Sequence, residues 1–215
     1  IELEDIARAV EEHSTLLASQ GMELELVAGA EVRINAGLFV LAEDSAELAR
    51  LGIGEKGKYL LVDLPLFDLP VATDEVLFRI QLSGMTPILA HPERNRYLIR
   101  HPSIVRDMVD RGIELQINSG SLEGIYGRHA RKSASSLIRE GVARLIASDA
   151  HQPSGRDPDL SSAAGIIERQ FGSEAAKIMF QVNPDRVIQG EGLTGAVDSG
   201  VGRSKPRILS RLFSR

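Results

Sequence analysis

The chain has 215 residues, the size of one domain, and a formal net charge of −5 from 25 basic and 30 acidic side chains. This mild acidity gives no reason to expect nucleic acid as a partner, and no apolar run reaches the roughly 18 residues that a membrane-spanning helix needs. The absence of cysteine excludes disulfides, thiolate metal sites and a cysteine nucleophile, and it suits a reducing, cytoplasmic compartment.

Apolar runs of strand length alternate with amphipathic segments along the chain. The pattern predicts helices over residues 1 to about 19, 73–82 with Thr73 as N-cap, about 103–110, up to 140, and about 159–181, with a last short helix capped by Asn183. Strands are predicted at 24–28, 59–62, 86–90, 113–118 and 143–147. This alternation is typical of an α/β fold with parallel strands, either a barrel or a doubly wound sheet.

Titratable side chains follow four of the predicted strands. Glu31, Asp63 and His91 follow the first three, and Asp149 and His151 follow the last. Active-site residues of parallel α/β proteins lie just past the carboxyl ends of their strands. A single carboxylate there is usually a cap or a solvated turn, but four such ends predict a divalent metal site. Mixed oxygen and imidazole ligands favour manganese, iron or zinc over calcium.

Two arginines follow these candidate ligands closely. Arg94 comes shortly after His91, and Arg156 comes shortly after His151. Guanidinium groups match phosphate oxygens in bidentate fashion, so the combination indicates hydrolysis of a phosphate ester. The competing interpretation is that each arginine pairs with a nearby acid such as Glu93 or Asp157.

The end of the chain has a different composition. Residues 191–215 form a basic tail, with no acid from Gly200 onward and with five basic residues there, Arg203, Lys205, Arg207, Arg211 and Arg215. One interpretation is a flexible solvated tail. The other is a basic amphipathic turn that contacts an anionic membrane surface or an acidic partner.

Four motifs occur in one order and with fitting spacing: Gly29-Ala30-Glu31-Val32, His91-Pro92-Glu93-Arg94, Gln116-Ile117-Asn118-Ser119, and Ser148-Asp149-Ala150-His151 with Arg156. With these motifs, the chain from residue 1 to about 190 resembles the bacterial PHP-domain (polymerase and histidinol phosphatase) protein-tyrosine phosphatases of capsule and exopolysaccharide operons. The resemblance implies a PHP-like domain over 1–190, built as a distorted (β/α)7 barrel that holds up to three metals, usually manganese.

The resemblance also implies a role for each candidate residue. Glu31 would bridge two metals, Asp63 and His91 would complete the ligands of one, and Asp149 would bind the same cluster. His151 would serve a third metal or its water, and Arg94 and Arg156 would hold the phosphate and stabilise the transition state. The implied activity is hydrolysis of phosphotyrosine by a metal-bound hydroxide, on a tyrosine autokinase that controls polysaccharide synthesis.

Two departures from the family pattern are visible. The family usually has Glu at the position of Asp63. Its N-terminal strand with His-x-His, acidic loop and further strand ending in His have no counterpart here, so we expect the chain to begin inside the helix before Glu31, with the first barrel strands removed or absent. A naturally truncated barrel would have an open edge, covered by homo-oligomerisation or exchange of elements.

Two alternatives stay open at this point. The first is a PHP-type phosphatase for a small metabolite such as histidinol phosphate. The second is a non-catalytic module that docks on the kinase. For the phosphatase, the expected location is the cytoplasm, peripheral to the inner face of the membrane.

Overall fold

A computed structural model describes residues 3–152 and 156–197 of the chain. The strands are β1 (Glu31–Arg33), β2 (Tyr59–Asp63), β3 (Thr86–Ala90), β4 (Glu114–Asn118) and β5 (Leu145–Ala147). The helices are α1 (Leu3–Ser19), α2 (Ala36–Leu41), α3 (Ser45–Arg50), α4 (Thr73–Leu82), α5 (Arg96–Arg100), α6 (Pro102–Asp110), α7 (Ser119–Glu123), α8 (Gly127–Arg139), α9 (Ser161–Phe171), α10 (Ser173–Lys177) and α11 (Asn183–Gln189). A 3₁₀ turn covers Pro92–Arg94, and a π-helical turn covers Ile178–Val182.

The five strands form one parallel sheet in the order β1-β2-β3-β4-β5, which confirms the predicted α/β class. Each strand pairs with the next one along the chain. Because all strands run the same way, their carboxyl ends meet at one edge of the sheet. The register places Arg33 opposite Asp63 and Ala90 opposite Gln116 at that edge.

The inner strands β2, β3 and β4 are largely apolar because the sheet is covered on both faces there. Leu60, Val62, Leu89, Leu115 and Ile117 are fully buried in the main core between sheet and helices. A second, smaller cluster packs Tyr59, Ile88, Leu145 and Val187 together. This close packing fixes where each strand ends and therefore where the residues that follow it are held.

The predicted strand at 24–28 is wrong. This segment joins no ladder among the described residues, and Leu24 and Val27 are 56% and 37% exposed. It is fastened to a turn instead, since the Gly54 amide donates to the Ala28 carbonyl at 2.9 Å. The ladder begins later, at Glu31 in the short edge strand β1.

Several helix boundaries also differ from expectation. Thr73 is the first residue of α4 rather than its cap, and its buried hydroxyl has no hydrogen-bond partner. Asn183 lies inside a continuous run from the π-helical turn into α11, and its side chain donates to the Arg144 and Thr194 carbonyls at 2.9 and 3.0 Å. The predicted helix at 159–181 is divided by Gly172 into α9 and α10.

The basic end of the chain, residues 198–215, lies outside the described residues, and so do 153–155. Within the described ranges, no helix is long and apolar enough to cross a membrane.

Candidate active site

Three side chains from neighbouring strands meet at the carboxyl edge of the sheet. His91 Nε2 lies 3.3 Å from Oε1 of Glu31 and 3.7 Å from Oδ1 of Asp63. One ligand atom from each residue lies within 4.8 Å of the others, and no other such group of three occurs in residues 3–152 and 156–197. Two carboxylates with one imidazole suit a divalent transition metal. This cluster is a candidate metal site.

The strand ends hold these side chains in place. Directly after β3, His91 has a left-handed backbone with φ of 34°, and its amide donates to the Gln116 carbonyl at 2.8 Å. Arg33 shares a strand face with Glu31, and its Nε donates to Oδ2 of Asp63 at 2.9 Å. The second oxygen of Asp63, Oδ1, is therefore the one that faces His91.

The electrostatics of the cluster reflect a surplus of negative charge. The hydrogen bond with His91 lowers the pKa of Glu31, although burial opposes this. Burial disfavours the charged form of His91, but the hydrogen bond with Glu31 and the charges of Glu93 and Asp63 outweigh it, and the pKa of His91 is raised. The carboxylates thus favour a positive charge between them, which a cation would also supply.

Asp149 is held by a clamp of three donors on one oxygen. Its Oδ2 accepts hydrogen bonds from Nη1 of Arg94 at 3.1 Å, from Nδ2 of Asn118 at 2.7 Å and from Nη2 of Arg156. Two guanidinium groups on one carboxylate leave a net positive charge. In addition, the buried Nε of Arg156 has no hydrogen-bond partner. This clamp is a candidate anion site next to the metal cluster.

All seven residues predicted from the sequence line one cavity of about 540 Å³: Glu31, Asp63, His91, Arg94, Asp149, His151 and Arg156. Arg33 and Leu66 complete its lining. His151 is at the mouth, with 57% of its side chain exposed and Nδ1 at 2.9 Å from the Asp149 carbonyl. The roles assigned to Asp149 and His151 as metal ligands stay predictions, because their side chains lie outside the group of three.

Arg33, Asn118 and Glu93 support the site and were not among its predicted residues. Glu93 is fully buried, which raises its pKa, and its Oε1 accepts from the Asn118 amide at 3.0 Å and from the Ser121 hydroxyl at 2.6 Å. It thereby holds the turn from which Asn118 reaches Asp149. The spacing of Glu31 and Arg33 on one strand face was a usable signal for Arg33.

Fold and site together define a parallel α/β protein with a candidate metal and anion centre at the carboxyl ends of its strands. A sequence model of the family described as "Capsular polysaccharide synthesis, CpsB/CapC" matches residues 1–189. The chain belongs to this family.

Individual relatives agree with this assignment. The chain is 31% identical over 169 residues to the tyrosine-protein phosphatase YwqE of Bacillus subtilis, which covers 79% of this chain and 65% of that protein. It is 32% identical over 117 residues to the tyrosine-protein phosphatase CpsB of Streptococcus pneumoniae, with 52% and 48% covered. The matched regions thus span about half to two thirds of these curated relatives.

A solved structure is also similar. It comes from a crystallographic study of YwqE from Bacillus subtilis and CpsB from Streptococcus pneumoniae, described there as unique metal-dependent tyrosine phosphatases. The TM-score is 0.79 at 28% identity, covering 88% of this chain and 74% of the other.

Proposed function

We propose that the chain is a metal-dependent phosphatase that hydrolyses phosphotyrosine in proteins. One observation carries the proposal: a carboxylate–imidazole cluster and two arginine guanidinium groups line the same cavity. The names of YwqE and CpsB, both tyrosine-protein phosphatases, support the substrate. Their description as metal-dependent supports the cofactor.

Glu31, Asp63 and His91 fit a divalent metal, since their ligand atoms lie close together and carry excess negative charge. We assign manganese, with iron or zinc as the other candidates. Such an ion supplies an activated water and neutralises phosphoryl oxygens. Asp149 and His151 are assigned to the same cluster, as ligands of further metals or of their water.

Arg94 and Arg156 would bind the phosphate and stabilise charge in the transition state. The Arg94 guanidinium carbon lies 4.0 Å from the centroid of the Tyr126 ring, a cation–π contact that favours this orientation of the side chain. The Arg156 side chain is 29% exposed and lines the same cavity, so its guanidinium group can meet a phosphoryl oxygen there. The ion pairs with Asp149 keep both groups aimed at one place.

The leaving group suits this site. A phenolate has a conjugate-acid pKa of about 10, so its departure needs less help from an acid than that of an alkoxide. His151, exposed at the cavity mouth, would donate a proton to the tyrosine oxygen. The sequence contains no cysteine, so a thiolate nucleophile is not an option.

For the whole protein, we propose a PHP-type distorted (β/α)7 barrel, to which residues 1–190 contribute the five described strands. The order of the strands supports this, because consecutive neighbours are what a barrel requires and a doubly wound sheet lacks. The first residues of the predicted basic tail, 191–197, pack against this domain, because the Leu193 carbonyl accepts from Arg144 and the Thr194 carbonyl accepts from Asn183. The proposed substrate is a phosphorylated tyrosine autokinase of capsule or exopolysaccharide synthesis. The proposed location is the cytoplasmic face of the membrane, with the tail at the membrane surface and a homo-oligomer as the assembly.

The test is manganese-dependent release of phosphate from a phosphotyrosine peptide, with the variants Arg94→Ala and His91→Ala. Removal of either group should cost at least about 100-fold in kcat, the usual size for one group that stabilises transition-state charge. The matched controls are Arg111→Ala and His13→Ala, which change an exposed arginine and an exposed histidine that do not line the active-site cavity.

Other results would point to the alternatives. Turnover of histidinol phosphate but not of the phosphotyrosine peptide would indicate a small-molecule phosphatase. A stable complex with the kinase and no turnover at any metal concentration would indicate a non-catalytic docking module.

A further inference from the structure

A groove of about 650 Å³ adjoins the candidate active site. Leu66 and Arg94 line both the groove and the active-site cavity, so the two openings are neighbours. The groove residues beyond them come from the loop after β2, from α5 and from the start of α8. We call this opening the side groove.

The lining of the side groove is mostly apolar and includes an exposed aromatic ring. Phe67 is 65% exposed, and the Arg96 guanidinium lies 4.9 Å from its ring centroid. Tyr126 lies under Arg94, and Ile99 completes the apolar surface. Concave apolar surfaces of this kind take up side chains of a ligand.

Three arginines of the side groove form no ion pair with any described residue: Arg96, Arg100 and Arg128. All three are exposed. By contrast, the surface arginines Arg50, Arg79 and Arg106 each hold at least one carboxylate. The chain as a whole carries a charge of −5, so unpaired cations gathered around one groove are a local feature that complements an anion.

The positive surface continues beyond the groove. Arg128 also lines a second cavity, together with Arg131, Lys132 and Arg139 of α8. These residues likewise form no ion pair within the described ranges. A run of cations therefore extends from the active-site side along α8.

We propose that the side groove binds an acidic segment of the substrate protein next to the phosphotyrosine. This rests on the proposed function, because it places the phosphotyrosine in the adjoining cavity. A peptide fits better than a membrane, since the groove is concave and shares Leu66 and Arg94 with the cavity where a tyrosyl phosphate would be held. Its apolar lining takes a side chain, and Arg96, Arg100 and Arg128 take Asp or Glu carboxylates.

The experiment uses two acidic phosphotyrosine peptides, one with several Glu residues before the phosphotyrosine and one with several Glu residues after it. Each is compared with a peptide that has Gln at the same positions. With the full chain and manganese, one acidic peptide should exceed its Gln counterpart by about tenfold in kcat/KM, mainly through KM. The advantage should shrink as ionic strength rises from about 0.05 M to about 0.5 M. In Arg100→Glu/Arg128→Glu, the ratio of acidic to Gln peptide should fall below about two.

The matched control is Lys56→Glu/Lys177→Glu, which reverses two exposed charges outside the groove and should keep the wild-type ratio. Turnover of p-nitrophenyl phosphate by the wild type reports on the proposed function separately. If that substrate and the Gln peptide are hydrolysed and acidity gives no advantage, or if the advantage survives in Arg100→Glu/Arg128→Glu, the side-groove proposal is wrong.

A binding measurement tests the side groove even if the chain does not turn over any substrate. Fluorescence anisotropy of the labelled acidic peptide should show weaker binding to Arg100→Glu/Arg128→Glu even if no substrate is turned over, in which case only the phosphatase assignment fails. Cosedimentation with phosphatidylserine vesicles that depends on these two arginines, without any peptide preference, would overturn the proposal in favour of a membrane surface.

Discussion

Charged side chains lie at both ends of the parallel sheet, and the two ends use them differently. At the amino end, Glu114 opens β4 and Arg144 immediately precedes β5. Nε of Arg144 donates to Oε2 of Glu114 at 3.1 Å, Nη2 donates to Oε1, and Nη1 donates to the Leu193 carbonyl at 2.8 Å. Both residues are less than 9% exposed. Both carboxylate oxygens of Glu114 and all three guanidinium nitrogens of Arg144 thus have partners within the protein.

At the carboxyl end of the sheet, by contrast, the charges do not all find partners among the described residues. Glu31 and Asp63 face a single imidazole, and the main cation beside them is the exposed Arg33. Nearby, two arginines share one carboxylate, and Nε of Arg156 has no partner. Buried charges that pair with each other help to hold the fold, whereas an excess of charge of one sign forms a binding site for a ligand of the opposite sign.

Loss of the ion pair between Glu114 and Arg144 should destabilise the fold strongly. Arg144→Met removes one partner and leaves the Glu114 carboxylate buried without its cation, which should lower the free energy of unfolding by about 3–5 kcal/mol. Urea denaturation of the metal-free chain measures this. The double variant Glu114→Leu/Arg144→Met removes both charges and should recover most of the loss. A double variant as unstable as the single one would contradict the pairing argument.

The carboxyl-end cluster should respond to metal instead. With manganese at about 100 times its dissociation constant, the wild type should gain about 2.7 kcal/mol of unfolding free energy, and a chelator should remove this gain. His91→Asn and Asp63→Asn should lose most of the gain, because each removes a ligand atom of the cluster. Asp107→Asn, an exposed carboxylate on α6, is the control and should keep it. An equal gain in all variants would place the ion elsewhere.

Glu93 also lies at the carboxyl end, but only one of its two buried carboxylate oxygens has hydrogen-bond partners within the described ranges. Its Oε1 accepts hydrogen bonds from the Asn118 amide and the Ser121 hydroxyl. Burial raises the pKa of Glu93, which favours the neutral form of its carboxyl group. Glu93→Leu leaves both donors unpaired and should cost about 1–3 kcal/mol in unfolding free energy. Glu93→Gln keeps an acceptor oxygen and should cost less than about 1 kcal/mol. Equal losses would mean that the hydrogen bonds do not carry the effect.

The arrangement of the carboxyl end could be predicted because it follows from strand direction. The apolar runs at 59–62, 86–90 and 143–147 indicate buried parallel strands, and the carboxyl ends of such strands meet at one edge. Asp63, His91 and Asp149 were therefore expected together, and they line one cavity. The position of a residue directly after a predicted parallel strand is enough to predict this grouping, and no side-chain contact has to be known.

Other features depend on contacts that sequence periodicity does not contain. The segment 24–28 has the apolar character of a strand, yet the polar β1 pairs with β2 instead, because a ladder is chosen by long-range register. The clamp on Asp149 joins donors from three separate segments, Arg94, Asn118 and Arg156. Glu114 and Arg144 are 30 residues apart, and no local sequence pattern predicts that they pair.

The ion pair between Arg106 of α6 and Glu140 after α8 faces water and should contribute little to the free energy of unfolding. Nε of Arg106 donates to Oε2 of Glu140 at 2.7 Å, and the two side chains are 47% and 30% exposed. Because solvent screens the pair, Arg106→Ala should cost only about 0.2–1 kcal/mol in unfolding free energy at neutral pH. This is far below the cost expected for Arg144→Met.

The pH dependence of this loss has a definite sign. The Arg106 hydrogen bond lowers the pKa of Glu140 in the folded chain, and an unfolded Glu has a pKa of about 4.3. The stabilisation is thus fully present above about pH 4.3 and disappears as the pH falls through the folded-state pKa below it. Unfolding curves of Arg106→Ala and wild type should therefore differ at pH 7 and converge in acid. A difference that stays the same in acid would mean that Arg106 stabilises the chain through packing of its aliphatic stem rather than through the charge of Glu140.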